Sequence, residues 1–293
     1  MRIQRRHMQH LAALACVYVF WQCVSTASFS SHTDIRRGVS LVSSWTSRLP
    51  PCPEVDYVFT REFFLSSEQR TRELLTSSEL SMKNNTCAVF RFIITNMQAA
   101  PMLQALHTRT NVATEVYYYC GDVTMDKIFE VAAMPVTGRA SSLFVVSTGD
   151  VVLPRLTHLY RVCQPVFVGP QAQLMVMSRV GSATEGCEVA KNAGGFDVYI
   201  GNSSFITQRV LQSIRIAPNY MGIETFVSAV VTNNKATLIY NLCPQLSVWH
   251  FHSSSGTNPF RRPRVNHPEN NALPAGALSA VCNVASLQMS KRL

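Results

Sequence analysis

Residues 141–150 read SSLFVVSTGD, an apolar run from Leu143 to Val146 that stops in small residues and a single acid. Short runs of β-branched and aromatic residues bounded by turn formers predict buried strands. Similar runs recur on both sides: AVFRFIIT (88–95), EVYYYC (115–120), AQLMVMS (172–178), FDVYIG (196–201), ATLIY (236–240) and a further strand around Trp249. Helical patterns lie between them. SSEQRTRELLTSSEL (66–80) opens on Ser with Glu following and reads as a surface helix, and VTMDKIFEVAAM (123–134) is amphipathic. GIETFVSAVVTNN (222–234) reads as another helix. Strands alternating with helices predict an α/β domain, with a mainly parallel central sheet flanked by helices. Ligands of such sheets collect outside the carboxyl ends of the strands, which singles out Asp150. An Asp after a strand is also a common turn former or helix cap, so Asp150 has two readings.

The 293 residues are 47% apolar and 15% charged, a globular composition without collagen-like, coiled-coil or low-complexity character. Net charge is +9, from 26 Lys and Arg against 17 Asp and Glu. The excess is dispersed apart from small clusters such as Arg261–Arg264. That suits a solvated surface or an anionic ligand, phosphate above all. No long basic stripe interleaved with aromatics is present, which argues against nucleic acid.

The first ten residues, MRIQRRHMQH, are basic, and LAALACVYVFWQCV (11–24) is almost continuously apolar. Small residues follow. Residues 1–27 therefore read as a signal peptide cleaved after Ala27, or as an uncleaved signal anchor with Arg2, Arg5 and Arg6 on the cytosolic side. Both readings send the rest of the chain into the secretory pathway. Residues 28–55, rich in Ser, Thr and Pro, read as a stem, residues 56–265 as the folded domain and residues 266–293 as an extension. Beyond the leader, Cys52, Cys87, Cys120, Cys163, Cys187, Cys243 and Cys282 are scattered without a CxxC pair, which predicts structural disulfides rather than a zinc ribbon. Asn84 and Asn202 lie in acceptor sequons for glycosylation.

SVWHFHSS (247–254) poses a separate question, because His250 and His252 share one face of an extended chain and Trp249 and Phe251 the other. Two imidazoles on one face suit a metal or phosphate site, while a single strand histidine is commonly structural. By alternation, Trp249 and Phe251 should point into the core.

Five segments in order resemble glycosyltransferase-like proteins of the nucleotide-diphosphosugar transferase (GT-A) fold. They are FVVSTGDVVL, LMVMSRV, GGFDVYIGNSSF, YMGIETFVSAVV and YNLCPQLSVWHFHSS, and the match in order and spacing covers residues 115–262, about half the chain. The resemblance implies transfer of a sugar from a nucleotide-sugar donor to a hydroxyl of a glycan or glycoprotein. It implies that Asp150, with His250 or His252, holds a divalent cation against the donor diphosphate. Manganese or magnesium is the expected cation; two imidazoles would suit zinc better, since hard cations prefer oxygen ligands. Arg179, Arg261 and Arg262 are then the guanidinium groups for phosphate, and Asp197 or Glu224 the base for the acceptor hydroxyl. The expected setting is the Golgi or ER lumen, with the N-terminal segment in the membrane. Two other readings stay open: a non-catalytic secretory binding protein that keeps the fold, and a metal-dependent hydrolase. No GxSxG elbow or HExxH helix occurs.

Overall fold

The computed structural model describes residues 39–47, 56–136, 142–157, 159–163, 172–180, 196–202, 208–215, 227, 237–241 and 248–250. The leader and the C-terminal extension lie outside them. The described chain builds one mixed sheet from β1 (Val39–Trp45), β2 (Asp56–Glu62), β3 (Val89–Ile94), β4 (Ala113–Tyr119), β5 (Ser142–Ser147), β6 (Val151–Val152), β7 (Ala172–Val180), β8 (Phe196–Asn202), β9 (Thr237–Asn241) and β10 (Val248–His250). The order is β1-β4-β3-β2-β5-β8-β7-β10-β6, with β9 also on β7. Strands β4, β3, β2 and β5 run parallel. β8 is antiparallel to both β5 and β7, and β1 is antiparallel to β4. This is the α/β architecture expected, a largely parallel sheet with flanking helices.

Alternation along the strands explains the layers. Tyr57, Phe59, Phe90, Phe92, Leu143 and Val145 face one side, where they pack with Leu74 and Met82 of α1 (Glu68–Asn84) and Leu103 and Leu106 of α2 (Ala100–Thr110). The rings of Phe59 and Phe90 stack at 4.6 Å between centroids. Ile93, Phe144 and Val146 face the other side, against Ile128, Phe129 and Val131 of α3 (Met125–Ala133). Two short helices, α4 (Leu159–Val162) and α5 (Gln208–Ser213), complete the described set. Cys87, Cys120 and Cys163 are disulfide-bonded.

Three elements differ from the sequence reading. Val39–Trp45, inside the stretch expected to be a stem, pairs with β4 as an edge strand with a register shift between Leu41 and Ser43. Its serines occupy the weakly buried positions of an edge, so no apolar alternation marks it. Helix α1 has the exposed face expected of a surface helix, at Glu68, Arg72 and Lys83, but its other face, with Thr71, Glu73, Leu74, Ser77, Ser78, Ser81 and Met82, is buried. Trp249 does not enter the core; Val248 is fully buried and Trp249 is 62% exposed on the opposite face.

Arg91, on β3, is the main polar intrusion on the α3 side. Its Nε donates to Glu115 at 2.7 Å, its Nη1 to the carbonyls of Val131 and Met134, and its Nη2 to that of Pro135. Those carbonyls lie at the end of α3, where helical partners run out. Arg91→Ala would remove the cation from Glu115, which keeps only the Tyr117 hydroxyl, and the guanidinium donors from the carbonyls of Met134 and Pro135, and should lower stability by about 3–5 kcal/mol, read as a drop in urea midpoint.

Candidate functional site

The chain runs from β2 outward to β3 and β4, then returns to place β5 on the other side of β2. Strand order therefore reverses between β2 and β5. A crevice at the carboxyl ends of the two strands flanking such a reversal is where open α/β sheets bind ligands. In this chain that place is bordered by Glu62 at the end of β2 and by Thr148, Gly149 and Asp150 after β5.

Asp197 comes to the same edge. It is the second residue of β8, which runs against β5, and its carbonyl accepts from the Thr148 amide at 3.1 Å. Both acids are deeply placed, Asp150 at 7% and Asp197 at 2% exposure. The backbone of His250 arrives there too: β10 is antiparallel to β6, with His250 opposite Val151 and Trp249 opposite Val152. Residues a hundred positions apart in sequence thus become ladder neighbours next to Asp150. Arg179 is placed by its backbone, opposite Val248. The side chains of His250 and Arg179, and all of Glu224, His252, Arg261 and Arg262, lie outside the described residues.

Sequence reading missed the groups that hold Asp150. Arg70, in the first turn of α1, donates through Nη2 to Asp150 Oδ2 at 2.7 Å and through Nη1 to Glu73 Oε2 at 3.1 Å. Burial alone would lower the Arg70 pKa, but the bonds and charges of Asp150 and Glu73 outweigh it and raise it. Arg61 sits on the α1 side of β2, 1% exposed, where alternation calls for an apolar residue. Its Nη1 reaches the carbonyls of Gly149 at 3.3 Å and Val151 at 3.4 Å, one on each side of Asp150. Burial brings its pKa down to about 10, opposed by the charge of Asp150, so it stays protonated at neutral pH. Its Nε and Nη2 have no hydrogen-bond partner among the described residues. A sequence signal existed: Arg61 breaks the apolar alternation of YVFTRE.

The buried face of α1 fixes the rest of the segment. Ser77 Oγ donates to the Gly149 carbonyl at 2.6 Å, and the Leu153 amide donates to Ser81 Oγ at 2.9 Å. Asn84 and Asn85 donate to the carbonyls of Leu153 and Pro154, and the Leu156 amide donates to Asn85 Oδ1. Gly149 permits the close approach: a Cβ there would lie 2.9 Å from Leu74 Cδ2 and 3.1 Å from the Glu62 carbonyl.

The cation expected at Asp150 meets a full set of counter-charges. One guanidinium is bonded to the carboxylate and a second is coupled to it electrostatically, which is a poor fit to a resident divalent ion. Among the described residues no three His, Cys, Asp or Glu side chains converge as a metal cluster.

No family model matches the sequence, and no curated protein matches it either. Solved structures similar to it include a protein of Desulfovibrio desulfuricans G20 described as a nucleotide-diphospho-sugar transferase, at TM-score 0.42 and 5% identity over 64% of this chain and 79% of that one. Another is the mannosyltransferase PcManGT of Pyrobaculum calidifontis in complex with GDP-Man and Mn2+, at TM-score 0.44 and 7% identity over 84% and 68%. A third is S. aureus TarS in complex with UDP-GlcNAc, at TM-score 0.41 and 12% identity over 69% and 62%.

Burial pushes the Glu62 carboxyl up to about 7, and the negative charge of Asp122 adds to the shift. The native state then holds a proton that the unfolded chain releases. The stability this supplies is complete below the ordinary carboxylate pKa and is lost as pH rises through about 7. Glu62→Gln should therefore be more stable than the parent at about pH 8, by on the order of 1–3 kcal/mol, with the gap closing towards pH 4. Urea midpoints across pH read this directly.

Proposed function

We propose that this chain is a lumenal nucleotide-sugar-dependent glycosyltransferase, acting on a hydroxyl of a glycan or glycoprotein and anchored or routed by residues 1–27. The observation that carries the reading is the arrival of the Asp197 backbone at Thr148, two residues before the Asp150 that Arg70 holds, at the strand-order reversal. Sugar transfer from a nucleotide donor needs positive charge where the diphosphate leaves and a carboxylate within reach of the attacking hydroxyl. Arg70 and Asp197 are the groups of this edge that support the reading. The order of the five sequence segments supports the same reading. The disulfides of Cys87, Cys120 and Cys163 support passage through an oxidising compartment.

Asp197 is the base candidate, with Glu224 the alternative. The exposed indole of Trp249, opposite Val152 in the ladder, offers an apolar face close to the site for an acceptor sugar ring. A non-catalytic binding protein is the rival reading, favoured by the 2% exposure of Asp197, since a base must be reached by its substrate.

A panel of UDP- and GDP-sugars decides between them. A bound donor at a hundredfold excess over its Kd should stabilise the fold by about 2.7 kcal/mol, seen as a raised Tm. A transferase also hydrolyses or transfers the sugar when acceptor glycans are added, and Asp197→Asn should cut that turnover by about 10²-fold or more while keeping the Tm shift. Stabilisation without sugar release identifies the binding protein. Stabilisation by zinc alone identifies the hydrolase.

A further inference from the structure

We propose that Arg70, rather than a divalent cation, supplies the positive charge that meets the donor diphosphate, and that Asp150 is the resident anion holding this guanidinium until the diphosphate takes it. The inference rests on the transferase reading and specifies its anion site.

Two guanidinium groups, Arg61 and Arg70, stand against the carboxylates of Glu73 and Asp150. A divalent ion at Asp150 would have to break the 2.7 Å bond to Arg70. It would then sit beside two displaced or buried guanidinium groups in a mostly water-excluded place. Uncompensated charge of that kind carries a large desolvation penalty. A diphosphate reverses the sign of the problem. It brings oxygen acceptors suited to the planar fork of arginine, which binds phosphate through paired N–H groups.

The two arginines are unequal in the way this exchange requires. The Arg70 side chain is 19% exposed and lies in the first turn of its helix, so its head can turn to an arriving anion. Arg61 is 1% exposed and clamped onto the Gly149 and Val151 carbonyls. When Arg70 leaves Asp150, Arg61 remains as the fixed counter-charge. Arg91 offers a contrast within the same sheet: it is equally buried, but Glu115 and three backbone carbonyls occupy all three of its guanidinium nitrogens. It serves structure alone.

Isothermal titration of the full chain with UDP and GDP, in EDTA and in manganese, separates the cases. Binding should persist in EDTA. Arg70→Gln should weaken it by about ten- to hundredfold, the range of a charge-assisted hydrogen bond. Arg70→Lys, which keeps the charge and loses the fork, should fall between, and it takes the place of Arg70→Gln if that variant does not fold. Asp150→Asn should bind equally well or more tightly, because the competing anion is gone. Manganese-dependent binding abolished by Asp150→Asn would overturn the proposal and leave the transferase reading standing. Binding in EDTA indifferent to Arg70 would also overturn it. No binding of any nucleoside diphosphate or nucleotide sugar in either condition would overturn the transferase reading itself.

Discussion

The segment that leaves β5 runs beneath α1, and its backbone amides and carbonyls are there shielded from water. Each buried polar group left without a partner costs on the order of 1–3 kcal/mol, so this passage is stable only if the helix supplies the partners. It does so at one-turn intervals. Ser77, Ser81, Asn84 and Asn85 come round on the same face of the helix, and Arg61 reaches in from β2. The position of Asp150 follows from this grip, because its neighbours Gly149 and Val151 are both held. Gly149 is part of the same arrangement, since a Cβ there would crowd the Leu74 side chain and the Glu62 carbonyl.

The sheet places two buried arginines on opposite faces, and they show what burial of a cation can accomplish. Arg91 closes the end of α3 and ties it to β4 through Glu115. Its charge is used up in holding structure. Arg61 is held by weaker, longer bonds to backbone oxygens, and two of its nitrogens lack described partners. Its charge reaches Asp150 at a distance. Burial lowers the dielectric around such a group, so its field extends further than that of a surface arginine. On one side of the carboxyl edge between β2 and β5, Arg61 and Arg70 stand against Glu73 and Asp150. On the other lies Glu62, whose raised pKa reports that burial and Asp122 disfavour its charge.

An anion reaching this edge would meet the Arg70 guanidinium where Asp150 holds it, with Arg61 clamped on the neighbouring carbonyls. The antiparallel turn of β8 brings Asp197 to the same edge from the opposite direction, which no parallel strand would have done at that position. A short ladder between β6 and β10 then draws the distant strand of Trp249 alongside.

The sequence by itself determined the alternation of apolar strands and helical segments, and with it the layered α/β fold. Such patterns record which face of each element meets the core. It also marked Asp150, because an acid closing an apolar run sits at a strand end by chain geometry alone. Polar burial was not legible. Ser77, Ser81 and Asn85 have the composition of a solvent face, and only the passage of residues 149–156 beneath α1 makes them interior. Edge strand β1 was hidden for a related reason: its serines leave the ladder with β4, rather than an apolar face, to define it. Trp249 reads as core from composition, yet its alternation partner Val248 takes the covered face, and that choice depends on which side of β10 the neighbouring layers occupy. Pairings such as Arg70 with Asp150 join residues 80 positions apart. Local sequence carries no trace of them, because the attraction acts only once the sheet order has brought the two charges together.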